Sequence, residues 1–155
     1  MENYHIISNM EYSRELCNEA DTLALGAAFA KSLQSGAFIA LRGELGAGKT
    51  VFVKGLAQAL GVRERVTSPT FTVMCQYFGT RQLCHFDLYR VTEDDCYALG
   101  FDDFFFDPTV ISAVEWSERL TDLPKNAITL TLTKTGENTR RAEISDPAGL
   151  LKEFL

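Results

Sequence analysis

Eight residues, GELGAGKT from Gly43 to Thr50, limit the folds open to this chain more than any other stretch. Gly43, Gly48, Lys49 and Thr50 satisfy G-x-x-x-x-G-K-[ST], a pattern that works only where a strand runs into a glycine-rich bend and the bend opens a helix. Both flanks are present: AFIALR (Ala37 to Arg42) reads as a short buried strand, and Val51 to Leu60 carries helical spacing that Gly61 ends. Gly43, Gly46 and Gly48 allow positive φ and bring backbone N–H groups close to phosphate oxygens, where a β-carbon would intrude. Lys49 adds a mobile point charge, expected at the surface of the phosphate site and outside the core. The hydroxyl of Thr50, in the first turn of the helix, can ligate Mg2+ while the helix N-terminus contributes partial positive charge.

The rest of the chain supplies an α/β frame for this loop. Asn18 to Gly36 opens on a capping asparagine, sets Leu23, Ala27, Ala30 and Leu33 at helical spacing and closes on glycine. Thr70 to Arg90 is β-rich and broken at Gly79-Thr80, the signature of a hairpin. A short helix is expected near Glu93 to Leu99, beside an aromatic cluster, followed by an apolar β-branched strand from Thr109 to Trp116. Ala127 to Ile144 reads as a second hairpin turning at Thr135 to Asn138, and PAGLLKEFL as a closing helix. The expected architecture is α/β, a P-loop NTPase-type partly parallel sheet with antiparallel hairpins and helices on both faces.

Size and charge narrow the function. A chain of 155 residues is expected to form one P-loop domain over residues 1–155, with about 68–70% of its unfolded surface buried. No apolar run approaches the ~18 residues of a membrane span, and MENYHIISNM lacks a basic region followed by an apolar stretch, so a cytoplasmic protein without membrane contact is expected. Cys17, Cys75, Cys84 and Cys96 form no C-x-x-C pair, which points to reduced thiols and away from zinc. A net charge of −6 argues against a protein that grips nucleic acid alone, because that binding runs on many Lys and Arg contacts to phosphates.

A nucleoside triphosphate site needs a further acid, commonly at the end of a buried strand beside the loop. Glu115, ending VISAVE, and Asp87, in LCHFDLYR, both fit, and the residues alone leave the choice open. In VTSPTF (Val66 to Phe71), Pro69 pushes Ser68 toward an extended conformation, so that Thr70 can present its hydroxyl to a metal or a γ-phosphate; an ordinary Ser-Pro turn fits the same residues. Guanine-specific phosphate-loop proteins carry an N-K-x-D or T-K-x-D element, and the nearest string, TKTG (Thr133 to Gly136), has glycine where the acid belongs. Adenine is favoured.

GELGAGKT, SPTF, HFDLYR and VEW, in this order and at this spacing, resemble the bacterial TsaE (YjeE) family, small ATPases required for threonylcarbamoyladenosine biosynthesis in tRNA. The likeness runs from about Glu19 to the second hairpin; Glu44 stands where the family more often has aspartate, and the stretch after Glu137, with Arg140, matches loosely. The resemblance implies ATP/ADP and Mg2+ as ligands, with Lys49 and Thr50 on phosphate and metal, and Glu115 and Asp87 serving the metal and the attacking water. It implies Thr70 as a switch residue and Trp116 beside the nucleotide, within a binding set of Glu19, Glu44, Leu45, Gly46, Ala47, Gly48, Val51 and Arg140. The implied partner is a heterodimeric ASKHA-fold (actin-like ATPase) threonylcarbamoyl-transferase complex of the TsaB and TsaD type, with tRNA reached only through it. In that picture slow ATP hydrolysis resets the transferase between turnovers.

Two other readings share the loop. A small-molecule kinase delivers the γ-phosphate to a metabolite, but it usually closes an arginine-bearing lid over the transfer, and no such insertion is evident. A GTPase switch lacks its guanine element. Arg63, Arg65 and Arg90 sit in no motif that marks a built-in arginine finger, so hydrolysis is expected to be slow alone and faster with the partner.

Overall fold

The computed structural model describes residues 5–8 and 11–151, with side chains from residue 11 onward. An eight-stranded sheet in the order β1-β2-β8-β7-β3-β6-β5-β4 organises the chain. Its centre is parallel: β3 (Phe38–Arg42) pairs with β6 (Val110–Glu115) on one side and β7 (Ile128–Lys134) on the other, and β6 pairs with β5 (Gln82–Asp87). Antiparallel strands extend both edges. β4 (Met74–Phe78) joins β5 through the hairpin at residues 79–81, while β8 (Arg140–Ser145) folds back on β7 and carries β2 (Glu11–Leu16) and β1 (His5–Ser8). The expected partly parallel sheet with antiparallel hairpins is the fold observed.

Helices cover both faces because the central strands are apolar on both. β3 shows no exposure from Phe38 to Leu41, so its alternating residues feed two separate cores. Ile39 and Leu41 face α1 (Glu19–Ser32) and α2 (Lys49–Ala59); Phe38 and Ala40 face the side of α3 (Glu93–Ala98) and α4 (Asp102–Phe105). In the second core Phe86 meets Phe105 and Phe101 edge to face, with ring centroids 4.9 and 5.1 Å apart, as aromatic quadrupoles prefer.

α1 and α2 touch backbone to backbone. A β-carbon on Gly26 would lie 2.2 Å from the Phe52 carbonyl oxygen, and one on Gly55 would lie 2.1 Å from that of Leu23, so only glycine admits the crossing. Asn18 caps α1 by accepting the Asp21 N–H at 2.9 Å. This packing fixes where α2 begins, and α2 begins at the loop.

Two expectations need correction. α1 ends at Ser32 and not at Gly36, which instead turns the chain into β3 with φ +87°. The closing helix is not formed across Pro147 to Leu151, which make turns. Buried Asp146 accepts the N–H groups of Leu150 and Leu151 at 2.9 Å each, and Gly149 takes a left-handed φ of +67°, a geometry that ends helices. The last residues of that segment, 152–155, lie outside the described residues. Lys49, expected at the surface of the phosphate site, is 8% exposed at the start of α2. No helix among the described residues is long and apolar enough to cross a membrane.

Candidate functional site

β3 ends by delivering Gly43 into the bend. Gly43 adopts φ +147°, and a β-carbon there would lie 2.5 Å from the Leu132 carbonyl oxygen, so the first loop glycine is required by close approach to β7. Gly48, at φ +103°, is the N-cap of α2 and offers no side chain to the first-turn N–H groups. A helix start left without a side-chain cap at the end of a glycine-rich bend is a ready anion site.

The acids arrive from the neighbouring strands. Asp87 ends β5, Glu115 ends β6, and the two are register partners, with Glu115 also level with Leu41 of β3. Both are buried, at 5% and 4% exposure, and are not solvated strand ends. Each is held in place. Thr70 donates its hydroxyl hydrogen to Asp87 Oδ2 at 2.9 Å, and the Tyr89 N–H donates to Oδ1 at 3.0 Å. Glu115 Oε1 lies 4.0 Å from Lys49 Nζ, and its Oε2 lies 3.0 Å from His85 Nε2. Lys49 also donates to the Gly43 carbonyl at 2.5 Å and sits over the Trp116 ring, 5.2 Å from its centroid. Its charge is therefore compensated inside the protein and aimed across the loop.

Two clefts flank the loop. The first, of about 300 Å³, brings together Lys49, Thr50, Thr70, Asp87, Glu115 and Trp116. The second, of about 230 Å³, lies between α1 and the β7–β8 turn and is lined by Glu19, Asn138 and Arg140. Gly46, Gly48 and Val51 line both, so the two clefts adjoin at the loop and the start of α2. Leu45 lines the first cleft yet is 99% exposed, and Ala47 is buried under the loop. Glu44 lines neither; its carbonyl accepts the Ala47 N–H at 3.0 Å and its side chain is exposed.

Arg140 spends its guanidinium on main-chain oxygens. Nε and one terminal nitrogen donate to the Ala47 and Gly46 carbonyls at 3.1 and 3.0 Å, and the other terminal nitrogen donates to Thr139, Gly136 and Glu137. The side chain ties the loop to the β7–β8 turn and occupies the Gly46 and Ala47 carbonyls.

The donor set suits Mg2+. Among the described residues no three His, Cys, Asp or Glu side chains form a cage. Mg2+ instead takes one or two protein oxygens and fills its octahedron with waters and substrate phosphates. Thr50 and the two carboxylates supply oxygens of that kind in one cleft.

HFDLYR by itself assigns no role to His85, although the period-two pattern of a strand puts it on the same face as Asp87. That alternation was the available signal.

The family model described as "Threonylcarbamoyl adenosine biosynthesis protein TsaE" matches residues 16–142. The chain is similar to the "tRNA threonylcarbamoyladenosine biosynthesis protein TsaE" of Aquifex aeolicus, 42% identical over 87% of this chain and 98% of that one. It is also similar to the protein of the same name from a Nostoc species, 38% identical over 84% and 83% of the two chains. Among solved structures, Bacillus subtilis YdiB superposes with a TM-score of 0.79 at 28% identity, covering 97% of this chain and 93% of that one.

Proposed function

This chain belongs to the TsaE family and so has its part in tRNA threonylcarbamoyladenosine biosynthesis, and from that premise we propose that it binds ATP with Mg2+ and hydrolyses it slowly to reset a partner transferase. The observation that carries the reading is the convergence of Lys49, Thr50, Asp87 and Glu115 on one cleft at the carboxyl ends of parallel β3, β5 and β6. In open α/β sheets that edge is where ligands bind.

The residues divide the work by position. The loop backbone and the start of α2 take the phosphates, and Lys49 reaches the outer oxygens by exchanging its contact with Glu115 for one with the nucleotide. Bound Mg2+ supplies positive charge against the phosphate oxygens. Thr50 and the carboxylates hold it, and Asp87, fixed by Thr70, has its free lone pairs available to a water in the same cleft. The second cleft, beside Glu19 and Arg140, is left for the adenosine end.

The partner in this proposal is the heterodimeric ASKHA-fold transferase complex, with tRNA met only through it. Arg90 stacks over Phe71, 4.6 Å from its ring centroid, and Arg119 lies 5.9 Å from that of Tyr89, so neither is committed to the loop as Arg140 is. A group supplied in trans can raise hydrolysis by ~10³–10⁵. The test is the ATP hydrolysis rate of the pure protein, then with the heterodimer and tRNA added. Slow turnover that the heterodimer stimulates is expected. Brisk turnover indifferent to the heterodimer, or phosphoryl transfer to a small metabolite, contradicts the proposal.

A further inference from the structure

His85 is a polar side chain with no exposed surface, in the middle of β5, with Cys75 and Ala113 as its register partners on the flanking strands. Its Nε2 meets Glu115 Oε2 at 3.0 Å, while Nδ1 is buried with no hydrogen-bond partner. A carboxylate oxygen can only accept, which assigns a hydrogen to Nε2, while Nδ1 is left without a partner. A histidine kept for packing is expected to satisfy both nitrogens, since a buried polar atom without a partner costs stability. His85 satisfies one, and that one is Glu115.

We propose that His85 is a positioning residue for Glu115. Its N–H fixes Oε2 and with it the plane of the carboxylate, so that Oε1 is presented toward Lys49 and the cleft. The inference rests on the reading of this cleft as the Mg-nucleotide site. Without the histidine the carboxylate rotates freely about its last torsion and meets the metal or the attacking water in the correct orientation for only part of the time. Partners that orient a metal-serving carboxylate in this way are commonly worth 10–100-fold in activity.

Two substitutions in the full chain separate positioning from packing. His85→Leu keeps an apolar volume and removes the donor; His85→Gln places an amide N–H near the position of Nε2. Nucleotide affinity is read by titration and turnover by ATP hydrolysis with the heterodimeric partner. His85→Leu is expected to lose about 10–100-fold in kcat with Mg-ATP affinity unchanged, and His85→Gln to recover most of it. Wild-type turnover in His85→Leu, or equal loss in both variants, overturns the proposal. Should wild type fail to bind ATP, the nucleotide reading itself has failed, and the hydrogen bond is then judged by NMR. The chain holds only two histidines, so 15N-histidine spectra resolve His85 in the folded wild type. Protonated Nε2 and a shift of Nε2 in Glu115→Gln are expected; a bare Nε2, or an Nε2 signal indifferent to Glu115→Gln, overturns the assignment even if His85→Leu does not fold.

Discussion

Glu115 and Asp87 differ in what holds them, and the difference sets what each variant does. Asp87 is fixed by a hydroxyl and a backbone N–H, Glu115 by His85 and the Lys49 ammonium. Both Glu115→Ala and Asp87→Ala are expected to lower ATP hydrolysis far more than ATP affinity, because charge stabilisation matters most where charge develops. Single-turnover kinetics beside equilibrium binding checks this, and equal losses in both quantities contradict it. Each residue of the cleft stood in a readable motif, since loop, SPTF, HFDLYR and VEW carry their chemistry in order. Their mutual geometry was not readable, because it depends on which strands pair. Lys49 lines the cleft and is nearly closed off because Trp116, Glu115 and the Gly43 carbonyl surround it, contacts made across 66 residues or more for the first two. Trp116 itself follows Glu115 in a left-handed backbone, φ +59°, which no sequence pattern announces for tryptophan.

Among the elements, those with one strong local signal were legible and those shaped by distant contacts were not. The strand-loop-helix unit, α3 and both hairpins follow from apolar runs punctuated by glycine and polar turns. β2 gives only a weak sequence signal: Tyr12, Arg14 and Leu16 alternate as a half-buried strand, but a buried arginine in the set hides the pattern. The closing helix was expected from PAGLLKEFL, whose composition does not reveal that Asp146 captures the following N–H groups. Arg140 belongs to β8 yet acts on the loop. If it clamps the Gly46 and Ala47 carbonyls, Arg140→Lys fails as a replacement, because one ammonium cannot span both. Mg-ATP affinity is expected to fall about tenfold, the worth of about one charge-assisted hydrogen bond. Wild-type affinity in Arg140→Lys would mean that the side chain serves only as a charge.

Across the whole molecule the sheet divides two cores, and the second encloses two thiols. Burial pushes Cys84 and Cys96 up to about 11, and neighbouring acids add to this. Because both thiols hold their protons more tightly folded than unfolded, their stabilising contribution is complete below the unfolded thiol value and declines as pH rises to about 11. The slope is about 1.4 kcal/mol per pH unit for each thiol. Urea unfolding at stepped pH above 8.5 is expected to show it, with Cys84→Ala losing one such share of the slope; an unaltered slope in that variant contradicts the assignment. The cleft proposed for the nucleotide lies at the carboxyl ends of the parallel strands of the same sheet and borders this second core through Trp116. Trp116 is the one tryptophan of the chain, it lines the cleft, and Lys49 sits over its ring. Titrating Mg-ATP against its emission, in wild type and in Lys49→Ala, tests whether this loop binds a nucleotide. A saturable shift is expected in wild type, moved to about one to two decades weaker affinity in Lys49→Ala by the loss of a contact worth about 1.5–3 kcal/mol. Emission indifferent to saturating Mg-ATP, or an identical curve in the variant, would contradict a nucleotide site at this loop.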